Sequence, residues 1–183
     1  MKWERNRMKN FLENERMRLR APEPEDLECL YRWENDSRLW EYGSTLSPFS
    51  KHALRQYIQQ SDHDVYRSSQ LRLMITIKPE RTVVGTIDLY DFDPHHRRAG
   101  VGILIDAEQQ HKGFAGIALQ LVADYADRFL HVHQLYAHVP KCNAASIRLF
   151  ERSGFVCAGT LKAWNVSPAG REDVLMYQRI FEG

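Results

Sequence analysis

From Phe114 the apolar residues of this chain recur every three or four positions, through Leu119, Val122, Ala126 and Phe129. That spacing predicts a helix over 114–130 with one buried face. A second helical stripe, Leu27, Leu30, Tyr31 and Trp33, follows Pro24-Glu-Asp, whose proline and acidic residues suit a helix start. Two further helices are predicted, one behind Ser50 as its cap and one over 143–153, while 35–49 reads as a loop. Runs of strand character lie at 17–20, 71–77, 83–91, 98–105, 134–139, 155–165 and 171–180. Lys78-Pro-Glu-Arg, Asp93-Pro-His-His and Ser167-Pro-Ala-Gly supply turns between them. Three strands joined only by turns, from 71 to 105, predict an antiparallel meander. After it helices and strands alternate, so the expected fold class is α+β: a mixed, mostly antiparallel sheet of about seven strands with about four helices on its two faces.

A chain of 183 residues makes one domain with a sizeable core. Its 25 basic and 24 acidic residues leave a net charge of +1, which gives no whole-chain field for nucleic acid or an anionic membrane, and neither is expected as a partner. Cys29, Cys142 and Cys157 lack Cys-x-x-Cys spacing and suit a reducing compartment. No apolar run approaches the ~20 residues of a membrane span, and no signal-peptide core is present, so a soluble cytoplasmic protein is expected. Residues 1–16 alternate Lys2, Arg5, Arg7, Lys9 and Arg16 with Trp3, Met8, Phe11 and Leu12. They read as an N-terminal extension, either a tail or a short basic amphipathic helix, ahead of a domain at 17–183. The eight histidines, His95-His96 and His131-x-His133 among them, have no carboxylate or cysteine at ligand spacing, and no metal is expected.

Candidate chemistry concentrates where Ile103, Leu104 and Ile105 run into Gln110-His-Lys-Gly113-Phe-Ala115-Gly116 and the helix from Phe114. The first turn of a helix carries backbone N–H groups without intrahelical partners at the positive end of its dipole. Gly113 and Ala115 leave room for a pyrophosphate to approach them, and His111 and Lys112 could add charge or simply face solvent. Neither G-x-x-x-x-G-K-[ST] nor G-x-G-x-x-G occurs, which excludes a Walker loop and a dinucleotide fingerprint. Further on, Val139-Pro-Lys-Cys-Asn143-Ala-Ala-Ser-Ile-Arg-Leu-Phe150-Glu-Arg-Ser-Gly-Phe155 reads as a strand end, a capped helix and a helix stop.

These two segments together resemble the GCN5-related N-acetyltransferase superfamily, whose motifs are Gln/Arg-x-x-Gly-x-Gly/Ala and a later Asn-x-x-Ala-x-x-x-Tyr-x-x-x-Gly-Phe. The resemblance runs over about 17–181, takes in Met17-Arg-Leu-Arg-Ala-Pro-Glu-Pro-Glu-Asp26, Val84-Gly-Thr-Ile-Asp88 and His96-Arg-Arg-Ala99, and points to the bacterial spermidine and ribosomal-protein N-terminal acetyltransferase branches. It implies acetyl-coenzyme A as co-substrate, direct transfer to a primary amine, and a homodimer. It also implies that strands 98–105 and 134–139 part at one end, that Ile103, Leu104 and Ile105 pair with the pantetheine through their backbones, and that an N–H of Leu104 or Ile105 serves the oxyanion. Asn143 would bond the pantetheine, or act only as a helix cap.

The family tyrosine that protonates the departing thiolate is here Phe150, which has no proton to give; water, Tyr136 or His138 could replace it. A coenzyme A thiol leaves readily, with a pKa near the ~8.5 of cysteine, so transfer need not stop. Asp88, Asp91 and Glu41 are candidate bases for the amine, or solvated carboxylates. Trp40, Tyr42, Phe49 and Trp164, from loops 35–49 and 162–172, could line the acceptor cleft or pack in the core. The spermidine enzymes carry paired glutamates after a tryptophan and a glutamate after Arg-Arg-Ala, where this chain has Trp40-Glu41-Tyr42 and Gly100. A small amine or a peptide N-terminus is therefore the expected acceptor, with a polyamine as the alternative and a non-catalytic acetyl-coenzyme A sensor as the other reading.

Overall fold

A computed structural model of the chain describes residues 10–40, 47–60, 64–167 and 170–182. The strands are β1 (Met17–Arg20), β2 (Leu71–Ile77), β3 (Thr82–Asp93), β4 (Arg98–Ile105), β5 (Gln134–Pro140), β6 (Val156–Ser167) and β7 (Gly170–Ile180). The helices are α1 (Leu27–Glu34), α2 (Ser37–Trp40), α3 (Lys51–Gln60), α4 (Val65–Ser68), α5 (Phe114–Arg128) and α6 (Ala144–Arg152). All seven strands form one sheet in the order β1-β2-β3-β4-β5-β7-β6. Among the described residues four helices have two turns or more, as the apolar spacing predicts; the single turns α2, inside the expected loop 35–49, and α4 carry no periodic signal. Pro24–Asp26 makes a 3-10 turn ahead of α1. Its buried Asp26 is held by Arg20 at 2.7 and 2.8 Å and by the Glu23 N–H at 2.8 Å, so this aspartate ties β1 to the helix start.

Ahead of β1, Leu12 packs against the core and accepts a 2.7 Å bond from the Leu19 N–H. The expected amphipathic pattern before residue 10 lies outside the described residues. On one face of the sheet, α5 and α6 cover Leu73, Ile87, Val101, Leu135 and Tyr177 in the main core. On the other, α1 and α3 cover Met74 with Leu27, Leu30, Trp33, Leu54 and Ile58.

Every neighbouring pair of strands is antiparallel except β4 and β5, which are parallel and share only Arg98↔Gln134, Ala99↔Leu135 and Gly100↔Tyr136. Beyond these, β4 stays with β3 as far as Ile105, and β5 stays with β7 as far as Pro140. The two central strands therefore part, as the family resemblance implies, and leave a gap walled by 101–105 and 137–140. Two hydrogen bonds set which backbone groups face it. The Asp106 N–H bonds the Val84 carbonyl at 2.9 Å on β3, and the Arg97 carbonyl accepts from the His133 N–H at 2.6 Å on the β5 side. Successive residues of a strand point their N–H and C=O to opposite neighbours, so Ile103 and Ile105 face the gap. Leu104 faces its partner Thr86 on β3. Of the two expected oxyanion donors, only Ile105 is turned the right way.

Candidate active site

Helix α5 starts at the open end of this gap. Gly113 is its N-cap, in the left-handed region at φ 81°, and a side chain there would meet nothing within 4 Å, nor would one at Gly116. His111 is also left-handed, at φ 61°. The first-turn N–H groups of a 15-residue helix thus open onto free space, with the strand gap beside them. That donor set fits a pyrophosphate followed by an extended amide-bearing arm, the shape of coenzyme A. Gln110 Nε2 reaches the Ile105 carbonyl at 3.3 Å and Lys112 Nζ the Gln109 side chain at 2.9 Å, so both are tethered in the turn. Phe114 and Ala115, half-buried, complete the first turn with Gly116.

The connection from β4 to this turn is pinned. The Asp106 carboxylate accepts from the Trp33 indole at 2.8 Å and pairs with Arg32, both on α1, and its other oxygen accepts from the Glu108 N–H at 3.1 Å. Burial opposes its charge, but these donors outweigh that and hold the carboxyl below its ordinary value. A depressed carboxyl contributes stability that is present above the unfolded value of about 4 and lost as pH falls through the folded one. Asp106→Asn should therefore lower the melting temperature at pH 7, and its deficit against wild type should shrink as thermal scans move below about pH 4.

Asn143 caps α6 by accepting from the Ser146 N–H at 3.0 Å, so its side chain is already in use within the chain. Phe150 is 4% exposed, edge-on to Phe155 at 5.1 Å and stacked with Tyr177 at 6.4 Å. It is a core residue, and no acid stands in its place.

The sheet face on the α1 side holds the other candidates. Asp88 is bound on both oxygens by Arg72 at 2.9 Å, and Arg72 reaches Glu34 at 2.6 Å. The guanidinium lies 5.7 Å from the Tyr57 ring. Both Asp88 oxygens are thus engaged by the guanidinium, which weighs against the expected role of Asp88 as a base. Trp40 donates to the Glu34 carbonyl at 2.8 Å, on the rim of the same network. Trp164 is 61% exposed on β6 and Phe49 40% exposed before α3, so neither is core. Glu41 and Tyr42 lie outside the described residues.

Farther along this face, a cavity of about 420 Å³ is lined by Asp91, Asp93, Arg98, Gln134, Tyr136, His138, Met176 and Gln178. Arg98 pairs with Asp93 at 3.4 Å. Asp91 accepts from the Tyr136 hydroxyl at 3.3 Å, and burial, then the Asp91 charge, pushes that phenol up to about 12. A register shift between Tyr90 and Asp93, with Asp91 at φ 48°, lets two consecutive residues of β3 meet Tyr136. The Tyr90 ring stands edge-on to it at 5.9 Å. Tyr90 borders this cavity through Tyr136, a placement that motif reading misses. Its sequence trace is Gly100 and Gly102, two positions apart on one face of a central strand, where glycine marks a close approach.

Among the described residues no three His, Cys, Asp or Glu side chains cluster as a metal site, and no helix is long and apolar enough to cross a membrane. A mixed sheet parted at its single parallel pair, beside a helix that opens on a glycine, defines an acyltransferase of the coenzyme A-dependent kind. The family model for the Acetyltransferase (GNAT) domain matches residues 16–156, and the chain belongs to that family: it is an N-acetyltransferase. The spermidine N(1)-acetyltransferase of Vibrio cholerae serotype O1 is 28% identical over 148 residues, covering 81% of this chain and 83% of that protein. The Escherichia coli spermidine N(1)-acetyltransferase is 29% identical over 145 residues, covering 79% and 75%. A crystal structure of the Vibrio cholerae spermidine N-acetyltransferase in complex with CoA and spermine superposes with a TM-score of 0.81 at 26% identity, over 91% of this chain and 96% of that one. A dodecameric structure of the same enzyme gives 0.77 at 26% identity, over 91% and 95%.

Proposed function

We propose that the chain moves the acetyl group of acetyl-coenzyme A to a small primary amine, with the co-substrate's arm in the β4–β5 gap and its pyrophosphate on the N-terminus of α5. The observation that carries this is the pairing of β4 and β5 over three residues only, beside a helix start where a side chain at Gly113 would meet open space. In this reading His111, Lys112, Gly113, Phe114, Ala115 and Gly116 surround the phosphates, Gln110 buttresses the turn, and Ile103 and Ile105 pair with the arm. The Ile105 N–H is the fixed donor for the oxygen that gains charge as the amine attacks; loss of such a donor in a serine protease costs about 3 kcal/mol. Asn143 keeps its cap through Oδ1 and offers the arm its side-chain amide N–H groups.

The acceptor enters from the cavity at Asp91 and Tyr136. Two carboxylates against the single Arg98 leave that cavity net negative, which suits a cationic amine. The spermidine-acetylating relatives favour a polyamine within this class, and the absence of a glutamate at Gly100 weighs against one. Asp91, exposed and bonded to Tyr136, is the one of the three candidate bases that would receive the ammonium. The self-association of the dodecameric relative supports an oligomer, and the expected homodimer is its smallest form.

Two measurements test this. Purified protein should release thiol from acetyl-coenzyme A in the presence of an acceptor from a panel of polyamines, small amines, amino sugars and N-terminal peptides, and not without one. Gly113→Val places a β-branched side chain in a left-handed conformation and in the phosphates' space, and should weaken acetyl-coenzyme A binding about tenfold by calorimetry. Undiminished binding by that variant would move the phosphates elsewhere.

A further inference from the structure

The half-buried phenol of Tyr90 has no part in the chemistry so far, and three observations seat it at the base of the strand gap. Its ring lies on the face of β4 that Gly100 and Gly102 leave bare: a methyl group at Gly100 would run into the ring, 2.7 Å from Cδ2, and one at Gly102 would sit 3.8 Å from Cε1. Tyr136 blocks it edge-on at 5.9 Å. The backbone N–H of His138, on the far side of β4, lies near enough to the Tyr90 phenol to act on its charge. That N–H lies on the gap-facing side of β5, two residues past the last pair with β4. The tyrosine thus lies from β3 across β4, toward the far wall of the gap where that wall begins.

A phenol has its own proton to give. Burial keeps that proton on, since it raises the Tyr90 phenol above its ordinary value. The β4 wall supplies the donor for the carbonyl oxygen. On the β5 side, the phenol of Tyr90 stands beside the His138 N–H and offers a further donor at the base of the gap.

We infer that Tyr90 is a catalytic residue, the hydrogen-bond donor to the sulfur as coenzyme A departs, acting where the chain has Phe150 in place of an acid. The inference rests on the placement of the thioester in the β4–β5 gap. In the step it serves, the amine nitrogen bonds to the carbonyl carbon and the carbon–sulfur bond breaks with its electron pair left on sulfur. The proton lost by the neutral amine balances the proton gained by the thiol. Tyr90 holds the sulfur's electron pair by hydrogen bonding and ends the step protonated. Gly100 and Gly102 are positioning residues in this account, since any side chain at Gly100 would evict the ring.

The test uses the full chain as wild type, Tyr90→Phe and Gly100→Ala, with two readouts. Calorimetry gives the affinity for coenzyme A, and the ultraviolet absorption of the thiolate, followed against pH, gives the titration of the bound thiol without any acceptor. Tyr90→Phe keeps the ring and should bind coenzyme A within about twofold of wild type, while its bound thiol titrates about one pH unit higher, because the thiolate has lost a donor. With an acceptor from the panel its kcat should fall about 10²-fold. Gly100→Ala should reproduce the raised thiol titration with Tyr90 present. A Tyr90→Phe variant with wild-type thiol titration would overturn the inference and leave the coenzyme A site standing. Wild-type protein that binds no coenzyme A would overturn the placement and the inference together.

Discussion

Gly85→Ala is expected to lower the melting temperature by about 10 °C, a loss of about 3 kcal/mol for a domain of this size. Gly85 sits in β3 with β2 on one side and β4 on the other, opposite Ile75 and Ile105. A methyl group there would fall on the Leu104 carbonyl oxygen and come within 3.0 Å of the Ile105 Cα. Both obstacles are backbone, and the strand carrying them is held in register over six consecutive pairs, from Gly85↔Ile105 to Tyr90↔Gly100, so no rotamer change relieves the clash. The strands must move apart instead, which lengthens ladder bonds in the most buried part of the sheet. Because Ile105 also borders the gap, coenzyme A affinity should fall with stability. A thermal scan with a wild-type melting point would show that β3 and β4 have slack the register does not suggest.

Arg72→Met is expected to cost a similar amount, about 3 kcal/mol, the low end for a broken buried ion pair. Asp88 and Glu34 are only 20% and 19% exposed at their side chains, and Arg72 is their shared counter-charge. Removing it leaves two carboxylates near each other with poor access to water, and detaches the end of α1 from the β2–β3 pair. The companion experiment is Arg72→Met with Asp88→Asn. Deleting one stranded charge should return part of the loss, so the double variant should melt above Arg72→Met alone. If the two losses simply add, the network carries no coupling and Asp88 is free for another role. Apart from stability, this network explains why the acceptor's carboxylate is sought at Asp91. Asp88 stands on the right strand, but its charge is committed.

Much of the fold was legible because its signals are local. Each of the seven strands among the described residues falls within two residues of its expected bounds, since short β-rich runs between proline and glycine turns have few other solutions. Gly113 could be read as a helix start because a left-handed residue ahead of an apolar stripe is a property of a few neighbouring residues. Ser50 and Asn143 were readable as caps for the same reason, and they accept from Ala53 and Ser146 at 3.0 Å. The site was less legible where its parts depend on pairings between distant segments. Leu104 and Ile105 are equivalent as sequence, and only the register with β3 turns one to the gap. Asp88 looks like a solvated strand carboxylate until Arg72, sixteen positions away, is placed across from it. Phe150 looks like a lost acid until Phe155 and Tyr177 close around it as core.

The amino-acid sequence by itself determined the order and kind of the elements, the α+β class, and the glycine-led helix start with its implied anion site, because period, turn residues and helix termini act over a few residues at a time. Tertiary structure alone decided where β4 and β5 part, which backbone groups line the opening, that Asp88 is paired with Arg72, and that Tyr90 lies across two glycines of β4. Those outcomes belong to strand register, and register is set by the burial of a whole face at once, which no single segment encodes.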